Sequence, residues 1–447
     1  MSSKILTLHD ASALADARIP SSSPWASVHK IVAAVGLLGL LACAYGAMND
    51  PTRFAYSYLF AFVVVLSVAL GALFFVLIQH LTGSGWSVTV RRCAEVMMGG
   101  LPVFLVLVIP ILVSVPRLYP WAGAQREVEP TQAGAFGNSM DEGEREPLAL
   151  AASNRGISRD LDIARSTEEA QVLEGRRPFM NRSFFTLRAL AYLGIWAMTA
   201  WRLLSWSTRQ DKDRTLAGTK AAQRLAPKAM AAFAVTLALA SFDWLMSLEP
   251  LWYSTIFGVY IFAGCAVAGV AFLILLLRLL QGTGYLQEAV TIEHYHDLGK
   301  LLFGWLSFWS YIAFVQFFLI WYANVPEEVS FFHRRWTDNL GTWKPVSLAL
   351  VVLHFAVPFW VLLSRNAKRH PLVLGLAATL IVVLHAMDIY WLVLPHVGPF
   401  APEWIDVACL VGIGGVYGAA VLWALQGRSL VCIGDPRLDR ALVSESG

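Results

Sequence analysis

The chain has 447 residues, a net charge of +3, 57% hydrophobic side chains and only 15% charged ones. So apolar a composition excludes an ordinary soluble domain. The small net charge excludes the basic footprint of a nucleic-acid binder.

Residues 1–27 are mixed polar, with Pro20 and Pro24, and lack the apolar core of a cleavable leader. Ten apolar stretches follow, at 28–48, 54–80, 93–116, 184–206, 227–248, 253–280, 299–323, 344–364, 371–394 and 404–426. Each runs to about 20 residues or more, the length that crosses a hydrocarbon core of roughly 30 Å as helix. The expected fold class is therefore all-α, a polytopic membrane protein of about ten transmembrane helices, with its membrane domain over 28–426. A long polar segment at 117–183 separates the third and fourth stretches, and within it 160–177 has an amphipathic pattern. A short tail, 427–447, closes the chain. Lysine and arginine crowd the short loops on the side of the termini, so the positive-inside rule predicts that both termini are cytoplasmic.

The five cysteines, Cys43, Cys93, Cys265, Cys409 and Cys432, form no CxxC or clustered pattern. No iron–sulfur cluster or zinc held by this chain is expected. Small residues spaced four apart, Gly264 with Ala268 and Gly414 with Gly418, predict close helix packing.

Function must lie in the few polar groups inside the apolar stretches, because ionisable side chains are costly there. On the side opposite the termini the predicted depths gather Asp243, Glu249, His354, His385 and Asp388, with Arg188 as a partner for an acid. His385 and Asp388 are three apart and share a helix face. Carboxylates and histidines in such a place can pass protons or take them from a quinol. On the terminal side His294, His296, Asp297 and Lys300 precede or open the seventh stretch, and Arg202 closes the fourth. They are candidates for a proton entrance, although Asp297 also suits a helix N-cap and Lys300 a headgroup contact. Near them Glu95 can pair with Arg91 four residues earlier. His354 and His385 are the only two histidines well inside spans and could in principle ligate one haem; Asp388 and bulky Trp391 nearby argue against it.

The runs SFDWLMSLEP at 241–250, WYSTIFG at 252–258, HYHDLGKLLFG at 294–304, WYANVPEE at 321–328 and HAMD at 385–388 carry a resemblance. Together they resemble the ActF-type membrane subunits of bacterial alternative complex III, within the wider NrfD or polysulfide-reductase membrane-subunit family. The similarity is strongest over about 241–400. It implies a multi-pass subunit of the bacterial inner membrane, in a complex that oxidises a membrane quinol such as menaquinol. Electrons then pass through iron–sulfur and haem c subunits to cytochrome c or an oxidase. The implied partners are those subunits, an ActC-like membrane subunit, the quinol and lipid. The chain itself would not be active alone. Asp243 matches the family's intramembrane acid, and 294–300 its cytoplasmic entrance to the seventh span. A proton-coupled transporter and a structural anchor for redox subunits are the competing readings.

Overall fold

The computed structural model describes residues 18–20, 22–122, 172, 174–338 and 341–442. Most of the segment read as a polar loop with an amphipathic stretch therefore lies outside the described residues. The long helices are α1 (Trp25–Asn49), α2 (Pro51–Leu81), α3 (Val88–Gly99), α4 (Ile109–Leu118), α5 (Arg182–Asp213), α6 (Ala217–Trp244), α7 (Phe257–Gly282), α8 (Ile292–Ala323), α9 (Pro326–Trp336), α10 (Lys344–Leu363), α11 (Pro371–Val393) and α12 (Trp404–Leu425). Among the described residues there is no strand, only one isolated bridge between Arg18 and Ser429.

Eight of these helices are long and apolar enough to cross a membrane, and the bent pair Val88–Leu107 and Ile109–Leu118 makes a ninth. The chain is thus a polytopic helical membrane protein, as its composition predicts. α5, with 32 residues, is also long enough, but Arg188 and Arg202 interrupt its apolar run and it is not among the eight. The 56° bend before α4 falls at Pro110, which has no N–H to continue the ladder. Pro358 acts likewise in α10: the turn before it, Leu350–Ala356, widens to π-helix.

Local chemistry sets the helix starts. The Asp50 carboxylate accepts from the backbone N–H groups of Thr52 and Arg53, and Pro51 fills the first position of α2. Thr291 and His294 form a reciprocal cap that opens α8 seven residues before the expected span. Asp297 is accordingly inside the helix and is not its N-cap.

α2 is apolar all round, so it belongs at the centre. In its most apolar stretch 94% of the residues are buried. It touches α7 so closely that a Cβ on Gly71 would stand 2.0 Å from the Cys265 carbonyl oxygen and 2.7 Å from the Gly269 Cα. α1 packs on α12 in the same manner, with Gly36 against Gly415 and Gly39 against Gly412. The expected pair Gly414 and Gly418 is not the tightest part of this seam: an added Cβ on Gly414 would meet the Val65 side chain of α2 at 3.9 Å, and one on Gly418 the Val32 side chain of α1 at 3.4 Å, both ordinary distances. Gly264 faces His385 and Trp309.

Both described ends of the chain lie at one end of the bundle, called the terminal end below. The Gln426 amide donates to the Ala26 carbonyl at 2.7 Å, and Arg18 bridges Ser429.

Substituting Gly71 by Ala should push α2 from α7 and lower stability by about 1–3 kcal/mol or more. Gly194 has nothing within 4 Å of an added Cβ, so Gly194→Ala should leave stability unchanged. Thermal unfolding of both variants in one detergent checks this; equal midpoints would refute the packing described.

Candidate functional site

The polar residues grouped at the far end by the sequence separate into three sites. In the first, Arg188 of α5 reaches Asp243 near the end of α6. Its Nε donates to Oδ2 at 2.8 Å and its Nη2 to Oδ1 at 2.7 Å. Tyr192, one turn along α5, donates to Oδ2 at 2.9 Å. The third guanidinium nitrogen, Nη1, donates to the Phe179 carbonyl at 2.9 Å, and the Phe179 ring centroid lies 3.9 Å from the guanidinium carbon. Both charges are buried. A bidentate pair with an added hydroxyl compensates a buried carboxylate well. Beside it opens a cavity of about 460 Å³ lined by Trp121, Phe179, Phe242, Met246 and Trp252.

The second site surrounds Glu249, in the turn after α6. Its Oε1 lies 3.1 Å from His396 Nε2 and 3.3 Å from both Arg334 Nε and Arg335 Nη1. Burial pushes this carboxyl up, but the His396 hydrogen bond and the Arg335 and Arg334 charges outweigh it and bring it down to about 2. Arg335, from α9, is itself buried and donates to the carbonyls of Phe331, Trp391 and Leu392. This cluster ties α9 and the end of α11 to the α6 turn.

The third site is deeper and differs in kind. Asp388 of α11 is 3% exposed and makes no ion pair among the described residues. Its contact is the Tyr260 hydroxyl of α7, which donates to Oδ1 at 2.5 Å. One turn earlier on the same face, His385 Nε2 lies 2.7 Å from Ser67 Oγ. Ser67 Oγ also lies 2.7 Å from the Val64 carbonyl, which it can donate to, and His385 Nδ1 has no partner among the described residues. Asp388, Tyr260, His385 and Ser67 all line one cavity of about 10 Å³, room for about one water. That space does not suit a haem. His354 sits in the π-helical turn of α10 with its ring 4.2 Å from that of Trp309. Neither of its nitrogens has a hydrogen-bond partner among the described residues, and it is close enough to His385 to bear on it electrostatically. The Trp309 indole adjoins Asp388 and Tyr260 without completing a hydrogen bond.

At the terminal end the expected entrance group is only partly assembled. Asp297 pairs with exposed Lys300 at 2.7 Å. His294 caps α8, His296 is buried one turn inside it, and Arg202 is exposed on α5, apart from them. The sequence missed a larger network here. Arg91 Nη2 meets Asp435 Oδ2 at 2.7 Å, Arg92 Nη2 meets Asp211 Oδ2 at 2.5 Å, and Glu95 accepts from Arg91 Nε at 3.1 Å and lies 3.3 Å from Arg92 Nη1. Arg91 and Glu95 pair as their spacing predicted. The network seats the chain after α12 against α3 and α5, where a Cβ on Gly434 would stand 2.1 Å from the Gln210 carbonyl oxygen.

Sequence reading also missed Tyr260, Ser67 and Tyr192. Ser67 had a usable signal, being a hydroxyl in the middle of an otherwise apolar run. Tyr260 precedes Gly264 by four residues, and that glycine leaves the room His385 occupies. Among the described residues no group of three His, Cys, Asp or Glu side chains is placed to hold a metal ion.

Two outcomes separate structural from chemical roles. Asp243→Asn strands the Arg188 charge in a buried place, and should cost about 3–5 kcal/mol; Tyr192→Phe should cost about 1 kcal/mol. Chemical unfolding in detergent measures both, and a neutral Asp243→Asn would contradict the pairing. Glu249 is held below its ordinary value of 4.5, so its stabilising contribution is complete above that pH and is lost as pH falls toward about 2. Glu249→Gln should flatten that limb of a stability–pH profile; an unchanged limb would assign it to other acids.

No protein-family model matches the chain, and no curated protein matches it either.

Proposed function

We propose that this chain is an integral membrane subunit of a quinol-oxidising electron-transfer complex, of the alternative complex III kind, and that its own contribution is proton handling. The observation that carries this is the set Asp388, Tyr260, His385, Ser67 and His354. Four of these side chains line one water-sized cavity, and His354 adjoins it through Trp309. An acid buried without a counter-charge is stable as its neutral form and becomes an acceptor when a proton leaves. His385 Nδ1 and the two His354 nitrogens have no partner that would fix their protons. Such groups can hand a proton on through Tyr260, a water and the imidazoles.

The other acids are compensated. Asp243 and Glu249 hold helices in register and are poor proton carriers while Arg188 and Arg335 stay charged. The terminal-end residues His294, His296, Asp297 and Lys300 are the proton entrance in this reading, with Arg202 left out of it. A proton-coupled transporter fits less well, because the central cavity admits about one water and no larger solute.

A quinone ring fits the 460 Å³ far-end cavity, whose walls are aromatic and whose Trp121 indole N–H lacks a partner. When bound, a quinol supplies two electrons and two protons. The chain's residues would stack the ring, shield it from water and hold Asp243 beside it in its ion pair. Iron–sulfur and haem c subunits, with a second ActC-like membrane subunit, would supply the electron carriers. The setting would be the bacterial inner membrane.

The test is a mild-detergent pull-down of the tagged chain, followed by Asp388→Asn in the same assay. The wild type should bring haem c, iron and quinol:cytochrome c activity. The variant should assemble with the same haem and iron content yet lose coupled proton movement, or slow by about 100-fold or more. A chain that purifies alone in a detergent that preserves other complexes would refute the assignment. Normal turnover and coupling in the variant would leave only an anchor.

A further inference from the structure

The five cysteines are scattered through the sequence, yet the fold brings two of them together. Cys43 of α1 and Cys409 of α12 are 366 residues apart, and their Sγ atoms lie 3.2 Å from each other, with the Cys43 thiol donating. Both residues are buried. Cys432, at the other end of the bundle, faces Ser207 and Glu95 at 3.8 Å instead.

The seam between the two helices explains the closeness. α1 and α12 run antiparallel and meet at rungs three or four residues apart. A Cβ on Gly36 would stand 2.7 Å from the Val416 backbone nitrogen, and one on Gly39 2.6 Å from that of Gly412. The next rung toward the far end is Cys43 with Cys409. Beyond it an added Cβ on Gly46 would stand 2.3 Å from Ile405 Cδ1. Glycine on α1 at these neighbouring rungs draws the two backbones together, and at the rung between them two thiols face each other. A disulfide holds its sulfur atoms at about 2.05 Å, so bonding requires the two to close by about 1 Å, a small side-chain rotation.

The pair is also within reach of a small oxidant. α1 lies on the outside of the bundle, where only 22% of its most apolar stretch is buried, and Leu41, Ala44 and Tyr45 beside Cys43 are exposed. Cys43 comes six residues before the end of α1 and Cys409 five after the start of α12, which puts them about 8–9 Å inside the far end. The orientation predicted by the positive-inside rule sets that end outside the cytoplasm, where thiols are not kept reduced.

We propose that Cys43 and Cys409 form a redox modification site, which a small neutral hydroperoxide, hydrogen peroxide being the simplest, oxidises to a disulfide that fastens α1 to α12. One sulfur attacks the peroxide: an S–O bond forms, the O–O bond breaks, and the thiol proton leaves with the departing oxygen as water. The other sulfur then attacks the sulfenic sulfur. The S–S bond forms, the S–O bond breaks, and the hydroxyl leaves with the second thiol proton as a second water. The two sulfurs together give up two electrons, and the peroxide accepts them. A thiol reductant reverses the bond. The site does not rest on the proton-handling reading.

The experiment treats the full chain in nanodiscs with hydrogen peroxide, then digests it without reductant for mass spectrometry. A peptide linking Cys43 to Cys409 should form in most chains and vanish with dithiothreitol, while Cys93, Cys265 and Cys432 stay free to alkylate after unfolding. The oxidised wild type should unfold several degrees above the reduced protein, because the link closes a loop of 366 residues. Cys43→Ala should lose that shift, and its Cys409 should stop at the sulfenic acid and take up dimedone. Cys409→Ala is the second variant should the first fail to fold, with dimedone then on Cys43. Two free thiols in the treated wild type would overturn the proposal. So would a link that joins other cysteines, or dimedone captured equally by wild type and variant.

Discussion

The burial of α2 on every side is the constraint on which the rest depends. A helix apolar all round finds no better place than the bundle centre, and the bare backbones of Gly71 and Gly269 let α7 come against it. Once α2 is fixed there, its few polar side chains become the founding members of the polar sites. Arg53 and Ser57 hold Asp406 of α12 at the far end, with Arg53 Nη2 and Ser57 Oγ each 2.5 Å from a carboxylate oxygen. Ser67 orients His385 midway. Gln79 lines an aromatic pocket near the terminal end. A single helix thus contributes a side chain to the far-end, central and terminal polar sites.

Charge inside the bundle then divides into two kinds. The pairs Arg188–Asp243, Arg335–Glu249, Arg53–Asp406 and Arg92–Asp211 each place a guanidinium on a carboxylate, with further donors or acceptors around it. Breaking such a pair is costly, and keeping it fixes helix register more than it gains stability. Asp388, His385 and His354 are the exceptions. They are as deeply buried and have hydroxyls, an indole and about one water's space in place of counter-charges. The π-helical turn at His354 adds a local departure from regular geometry of a sort often found where function needs it. In the proposed function, proton chemistry belongs to the uncompensated group, and structure to the compensated ones.

The fold class was legible because span length and composition depend on local sequence alone. That His385 and Asp388 share a helix face was legible for the same reason, and both line one cavity. Partners were not. Asp243 looked as exposed to function as Asp388 until α5 brought Arg188 and Tyr192 to it. Nothing in the sequence near Arg92 points to Asp211, or near Arg91 to Asp435, because long-range pairing follows from how helices are arranged. The closest backbone contact of α12 was missed by register: Gly412 and Gly415 meet the α1 backbone, whereas the four-residue spacing suggested Gly414, which faces α2, and Gly418, which meets only a Val32 side chain of α1. Periodicity identifies a small face, but the partner's own glycines at 36 and 39 decide which residues meet.

The central claim is that Asp388 is an uncompensated acid that exchanges its proton inside the bundle. Infrared difference spectroscopy of the full chain in lipid, across a pH titration in ordinary and heavy water, addresses it directly. The account predicts a protonated-carboxyl band that responds to pH, shifts in heavy water and vanishes in Asp388→Asn. A spectrum without that band, or a band that persists unchanged in the variant, would contradict it.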